Sequence, residues 1–348
     1  MPTQSPAASY ASNTTYPRLA ERLRQAERVV VLTHTKPDGD AVGSVLAVQR
    51  ALTLLGKQAT GVLMGPVEPG LLELARPTVL ERLENGPLPE EVDLVVVVDT
   101  GAWAQLEPVA PWLRTRRDRT IGLDHHARGD EIAGERMIDV RAASCTQVLV
   151  PLIEALGCPL TGGPGGVAEA LFVGLATDTG WFRFANADAA AFALAARLLK
   201  SGVDKGRIYQ VLEETARPSR LALTSRALSS LRLVADGAAA VMSLGMSDFT
   251  ETGGALEDLT GIVNEPMAVR SVRVSALLTQ TDPGLTKVSL RSKPAIAGGA
   301  DGFVNVNDLA ARFGGGGHAN AAGARIKADL DAAQAQIEQA LEAAIKER

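Results

Sequence analysis

Four stretches of the chain hold acidic and imidazole side chains at spacings that could bind a metal ion: HTKPDGDAVGS (34–44), VVVVDTG (95–101), LDHH (123–126) and ATDTGWF (176–182). The first offers His34, Asp38 and Asp40 directly after an apolar run, with Pro37 and Gly39 forcing an irregular turn that lets the three converge. Asp99 ends a run of four valines, where a bare carboxylate is costly unless paired or metal-bound. Asp124, His125 and His126 follow a short apolar run, and Asp178 lies near the end of an apolar helix. Singly, a strand-end aspartate is more often a helix cap, and adjacent histidines mean little. Together they mean more, because three of the chain's four histidines lie in these motifs. Carboxylates clustered with imidazoles repel one another unless cations neutralise them. Mixed Asp/His ligands suit Mn²⁺, with Mg²⁺ or Zn²⁺ as lesser options.

A fifth motif lies far downstream. FGGGGHANAAG (313–323) places Gly314, Gly315, Gly316 and Gly317 before His318. Glycines let a backbone approach a ligand closely and offer N–H groups to an anion. Alone, such a run is usually a flexible loop. With Arg291, Ser292 and Lys293 ending a nearby predicted strand, it reads as an anion site, Arg supplying a planar fork and Lys a point charge.

The elements that must position these groups change character along the chain. Residues 17–200 alternate short Val-rich runs with helical patterns: strands at 29–34, 59–64, 93–99 and 120–124, helices at about 143–156, 166–177 and 188–201. That alternation predicts an α/β domain with a mostly parallel sheet covered on both faces. Ligands bind at the carboxyl ends of such strands, where the motifs gather. Residues 201–233 read as a helical connector, and 234–348 as a smaller α+β domain whose strands at 270–280 and 286–292 flank the turn sequence TDPG. Residues 1–16 are polar, read as a flexible tail, and lack the pattern of a secretory signal.

Composition narrows the function. The 348 residues suffice for about two domains, 46% are hydrophobic and 22% charged, and the net charge is −5. A disordered chain, a coiled-coil rod and a collagen-like protein are excluded. No stretch approaches the ~18 unbroken apolar residues of a membrane span, so no membrane partner is expected. A chain that coats long DNA is usually basic, so a short anionic ligand in a locally positive cleft fits better. Cys145 and Cys158 lie in apolar segments and read as reduced core residues, which makes the cytoplasm the default compartment.

Taken together, HTKPDGDAVGS, VVVVDTG, LDHH, ATDTGWF, RSK and FGGGGHANAAG resemble the DHH phosphoesterase superfamily with its DHH-associated C-terminal domain, from about residue 20 onward. Length and spacing look like its stand-alone, NrnA-like branch of nanoRNases. The resemblance implies a phosphoesterase that degrades short RNA or DNA oligonucleotides to nucleoside 5′-monophosphates and dephosphorylates 3′-phosphoadenosine 5′-phosphate (pAp). It implies two Mn²⁺ or other divalent cations. His34 and Asp38 would bind the first, Asp40, His125 and Asp178 the second, and Asp99 both. His126 would contact the scissile phosphate or help the leaving group, with Asp124 orienting a histidine. Arg291 and the glycine loop with His318 would hold the nucleotide from the second domain, across an inter-domain cleft. A homodimer is compatible with this reading.

Some positions depart from the family pattern. Lys36 stands where Asn is frequent, Arg128–Gly129 follows the histidines where Ser–Asn is common, and TGAWAQL after Asp99 lacks an arginine often found there. These bear on substrate preference more than on chemistry. A RecJ-like single-strand exonuclease, a cyclic-dinucleotide or pApA phosphodiesterase and a manganese pyrophosphatase share the metal motifs. The first usually carries further DNA-binding domains, and the last lacks FGGGGHANAAG. A non-catalytic nucleotide-binding module would have lost metal ligands, and all six are present.

Overall fold

A computed structural model of the chain describes residues 10–293 and 303–346. The chain forms two compact units, meeting in sequence between Thr215 and Ala216.

The first unit contains α1 (Tyr16–Gln25), β1 (Arg28–Thr35), α2 (Gly39–Leu54), β2 (Gln58–Met64), α3 (Pro69–Ala75), β3 (Leu80–Arg82), β4 (Leu94–Val98), α4 (Ala110–Arg114), β5 (Thr120–Asp124), β6 (Glu135–Ile138), α5 (Cys145–Ala155), α6 (Val167–Asp178), α7 (Ala189–Lys200) and α8 (Lys205–Glu213). Its six strands pair in parallel in the order β3-β2-β1-β4-β5-β6. The valine runs have a simple cause. Val29, Val31, Val96 and Val98 join a core shared with α1, α2, α5 and α6, while Val30, Leu32, Val95 and Val97 pack on the opposite face with Leu106, Val109 and Leu113. Successive side chains point to opposite faces, so a strand covered twice has no polar positions. The strand order reverses between β1 and β4, the place where open α/β sheets bind ligands.

The second unit contains α9 (Pro218–Ser229), β7 (Arg232–Val234), β8 (Ala239–Leu244), α10 (Met246–Thr252), β9 (Val274–Asp282), β10 (Leu285–Ser292), α11 (Val306–Ala311), β11 (Gly316–His318), β12 (Ala321–Ile326) and α12 (Leu330–Lys346). Its sheet runs β11-β12-β10-β9-β8-β7 and is antiparallel except for the β8–β9 pair. Ala333, Ile337 and Leu341 of α12 close a core over one face, and Leu223 and Ala227 of α9 pack with Ile262 and Leu277 in a second cluster.

Two segments differ from expectation. Residues 201–233 do not form one connector: α8 packs on α3 within the first unit, and α9 packs on β8 and α10 within the second. Of the expected tail, residues 1–9 lie outside the described residues, but residues 10–15 are tied down. Asn13 N–H donates to Arg136 O at 3.0 Å and Asn13 Oδ1 accepts from Arg136 N–H at 2.6 Å. Ser12 Oγ bonds both the N–H and the carbonyl of Ile138. The polar residues that made this stretch look unstructured instead satisfy the open edge of β6.

Candidate metal centre

Each candidate ligand leaves the sheet or its covering helices at one edge. β1 delivers His34, and Asp99 follows β4 immediately with φ 60°, a left-handed conformation uncommon for a non-glycine residue and frequent at functional sites. Asp38 caps α2, its Oδ1 accepting from the N–H of Asp40 and Ala41. Asp40 in the first turn of α2 and Asp178 at the last residue of α6 meet because these helices touch through glycine. A Cβ on Gly43 would lie 2.6 Å from Ala170 O and 2.9 Å from Gly174 N. Asp178 sits at a helix C-terminus, so it is no N-cap.

The ligand atoms fall into two groups sharing one carboxylate. His34 Nε2 lies 3.6 Å from Asp99 Oδ2 and 4.0 Å from Asp38 Oδ1. His125 Nε2 lies 3.5 Å from Asp99 Oδ1 and 3.8 Å from both Asp40 Oδ2 and Asp178 Oδ2. Ligand atoms ~2.0–2.2 Å from a divalent cation stand about 3–3.6 Å apart, so these sets fit a cation with a small inward movement. Asp99 Oδ1 is buried without a hydrogen-bond partner, an orphan that a cation would satisfy. Both imidazoles are turned the way metal ligands are: His34 Nδ1 lies 3.0 Å from Thr35 O and His125 Nδ1 3.3 Å from Ala142 O. A ring N–H held on a carbonyl leaves Nε2 aimed at the carboxylates. Two groups of side chains lie close enough to hold a cation: His34, Asp38 and Asp99, and Asp40, His125 and Asp178.

His126 is placed differently. Its Nδ1 lies 2.7 Å from Asp124 Oδ1, which also accepts the backbone N–H of His125 and of His126. Asp99, His125 and His126 also lie close enough to hold an ion. That grouping would use His126 Nδ1, 3.9 Å from Asp99 and already committed to Asp124. Its half-exposed ring leaves Nε2 for something else.

The protonation pattern reflects crowded charge. Burial, then the charges of Asp99 and Asp178, push Asp40 well above the usual carboxylate range. Burial likewise carries Asp178 up to about 6 against the pull of His125. Burial alone would raise Asp99, but His125 and His34 outweigh it and hold it low. Burial would lower His34 and His125, yet the carboxylates facing them, Asp99 foremost, lift both to about 9. The hydrogen bond to Asp124 raises His126.

The second unit treats its expected anion site less simply. The glycine run is no free loop. Gly316–His318 form an edge strand on β12, Gly315 N–H donates to Ala310 O, and Gly317 N–H to Asn307 Oδ1. A Cβ on Gly315 would come 2.2 Å from Gly323 O, and Gly317 has φ 153° and would meet Ala321 O at 2.5 Å. Close packing of the hairpin therefore accounts for these glycines, and few of their N–H groups remain for an anion. Ser292 is buried and bonded to the 319–320 turn, and Lys293 Nζ donates to Val269 O. Register aligns Arg291, Ala321 and His318 across three adjacent strands, hence on one face of the sheet. The small Ala321 lies between the two in register.

Sequence reasoning missed the groups that hold the ligands. The N–H of Cys145 and of Thr146, opening α5, donate to Asp40 at 2.5 and 3.0 Å. Asn186 Nδ2 donates to the carbonyls of Ala143 and Asp178. Tyr10 Oη donates to Asp124 Oδ2 at 2.7 Å. Backbone amides leave no residue-type signal, and a tyrosine in a polar tail looks incidental.

A parallel α/β sheet with a carboxylate–imidazole cluster at its switch point defines an α/β protein with a candidate metal site. The chain belongs to the DHH family: residues 28–174 match the DHH family, N-terminal domain, and residues 238–347 the DHHA1 domain. It is 31% identical over 344 residues to the bifunctional oligoribonuclease and PAP phosphatase NrnA of Thermus thermophilus, covering 94% of this chain and 96% of that one. A Streptococcus mutans protein, described as a probable enzyme of the same kind, is 25% identical over 89% of this chain and 93% of its own. The crystal structure of an exopolyphosphatase-related protein from Bacteroides fragilis superposes with a TM-score of 0.81 at 26% identity, covering 94% of this chain and 95% of that one. Among the described residues, no helix is long and apolar enough to cross a membrane.

Proposed function

We propose that the protein is a phosphoesterase that hydrolyses short RNA or DNA oligonucleotides to nucleoside 5′-monophosphates and pAp to AMP and phosphate. The observation that carries this reading is Asp99, whose two oxygens face two separate histidine–carboxylate groups. Such a shared carboxylate suits two cations, which we take to be Mn²⁺. Similarity to the NrnA enzymes supplies the substrate class.

In this reading His34, Asp38 and Asp99 would hold one cation, and Asp40, His125, Asp178 and Asp99 the other. Divalent cations held there would supply Lewis acidity, lowering the pKa of water and offsetting phosphate charge. The chain's own groups do the rest. Asp124 holds the His126 Nδ1–H, so Nε2 can contact the phosphate or pass a proton to the departing 3′-oxygen. Arg291 and His318 bind a substrate phosphate or base from one sheet face, with Ser292 and Gly315–Gly317 shaping the hairpin that carries His318. The two buried free cysteines suit a reducing cytoplasm.

The test is turnover of 5′-labelled oligomers of two to twenty nucleotides, beside pAp and cyclic di-AMP, with Mn²⁺ and after chelation. Fast cleavage of the shortest oligomers and of pAp, lost on chelation and restored by Mn²⁺, is expected. Undiminished activity in metal-free protein would sink the two-cation centre. Exclusive action on cyclic di-AMP or on long single strands would overturn the substrate class.

A further inference from the structure

We propose that Tyr10 is a positioning residue of the active site, orienting His126 through Asp124. The proposal rests on the phosphoesterase reading above, and deepens it by adding a residue from the N-terminal segment.

The geometry is a short relay. Tyr10 Oη donates to Asp124 Oδ2 at 2.7 Å, and Asp124 Oδ1 lies 2.7 Å from His126 Nδ1. Asp124 is fully buried, and a buried carboxylate needs donors on both oxygens. On Oδ1 the donors come from its own neighbours, the N–H of His125 and of His126 and the His126 ring. Oδ2 takes a hydroxyl from 114 residues away. With both oxygens engaged the carboxylate plane cannot turn, and the imidazole that leans on it keeps one direction.

The seat for the tyrosine is built by two glycines. A Cβ on Gly101 would lie 2.0 Å from Tyr10 Oη, and one on Gly129 would lie 2.5 Å from the Tyr10 ring. Neither glycine has a φ in the left-handed range that favours glycine. The space they leave for Tyr10 therefore accounts for glycine at both positions. Ser12 and Asn13, bonded to β6, hold the segment in place two and three residues after Tyr10. Among the described residues, Tyr10 belongs to none of the four hydrophobic clusters.

Removing an outer partner of this kind typically costs about 10-fold to 100-fold in activity. Tyr10→Phe keeps the ring in its seat and deletes the donor. On a dinucleotide with Mn²⁺ it should lower kcat by about that factor while leaving KM within about twofold, because the fault lies in a reacting group. Gly129→Ala, which displaces the ring, should cause a similar loss and add little in the Tyr10→Phe background, since contacting residues are not additive. A second readout needs neither metal nor activity. In metal-free protein labelled with ¹⁵N-histidine, the His126 ring N–H, identified by its loss in His126→Asn, should shift or broaden in Tyr10→Phe.

Equal kcat in wild type and Tyr10→Phe, or an unmoved ring signal, overturns the proposal. So does a fall in Tm with an unmoved signal, which is what a merely structural tyrosine produces. If wild type hydrolyses no oligonucleotide, the phosphoesterase reading fails by itself, and the ring signal still decides whether Tyr10 orients His126.

Discussion

Asp40 and Thr146 are joined where two helices meet: the Thr146 N–H, in the first turn of α5, donates to Asp40 Oδ1 at 3.0 Å. A buried carboxylate thus rests on the positive end of a helix, which supplies unspent amides and a favourable dipole. Gly174 of α6 completes the seat, since a Cβ there would come 2.4 Å from both Asp40 Oδ1 and Thr146 Cγ2. Gly174→Ala is expected to cost ~1–3 kcal/mol of stability through overpacking and to displace Asp40. Calorimetric Mn²⁺ titration should then show one cation weakened and the other retained. Unchanged binding of both would remove Asp40 from the ligand set.

The neighbouring histidines should fail in different ways. His125 aims Nε2 at three carboxylates, whereas His126 gives Nδ1 to Asp124. His125→Ala should lose one equivalent of metal by elemental analysis after gel filtration. His126→Ala should keep both and still lose turnover by about 10²-fold or more, the size typical of an acid–base group. The reverse pattern would exchange their roles.

Arg291 tests the second unit. Arg291→Ala leaves the metal ligands intact but removes a charged donor from the face it shares with His318. A hydrogen bond to a charged group is worth ~1.5–3 kcal/mol, so kcat/KM for dinucleotides and pAp should fall roughly 10-fold to 150-fold. A small chromogenic phosphodiester should be hydrolysed as before. Equal rates for both proteins on dinucleotides would place substrate recognition elsewhere.

Acid should loosen α1. Glu135 at the start of β6 pairs with Arg18 and with Arg22, the latter at 3.0 Å. Burial would raise its carboxyl, but the two guanidiniums outweigh it and hold it below the ordinary value. A depressed carboxyl stabilises the folded state above the unfolded value of about 4.3, and that contribution disappears as pH falls through the folded value. Wild type should therefore melt above Glu135→Gln near neutrality, with the gap closing in acid below about pH 4. A gap that stays constant with pH would show that the pairs add nothing.

Much of this centre is legible in the linear chain. Val29–Leu32 and Val95–Val98 read as doubly covered strands, because burial on both faces removes every polar position. Parallel strands present their carboxyl ends together, so His34, Asp99 and Asp124–His126 had to share an edge. The residues that hold those side chains in place are another matter. Whether Asp38 caps a helix or binds a cation is undecidable from its type, and in the folded chain the Oδ1 that caps α2 also lies 4.0 Å from His34 Nε2.

Asp40 and Asp178 are 138 positions apart and meet only because Gly43 and Gly174 let two helices touch. The run Gly314–Gly317 looks like an open cradle until the register with β12 shows where its N–H groups go. Tyr10 reaches Asp124 across 114 residues. Local pattern, set by side-chain burial with period two or 3.6, determined the elements and the edge at which the chemistry lies. Long-range packing decided which atoms of those side chains face one another, because orientation depends on donors and contacts from segments that sequence spacing does not connect.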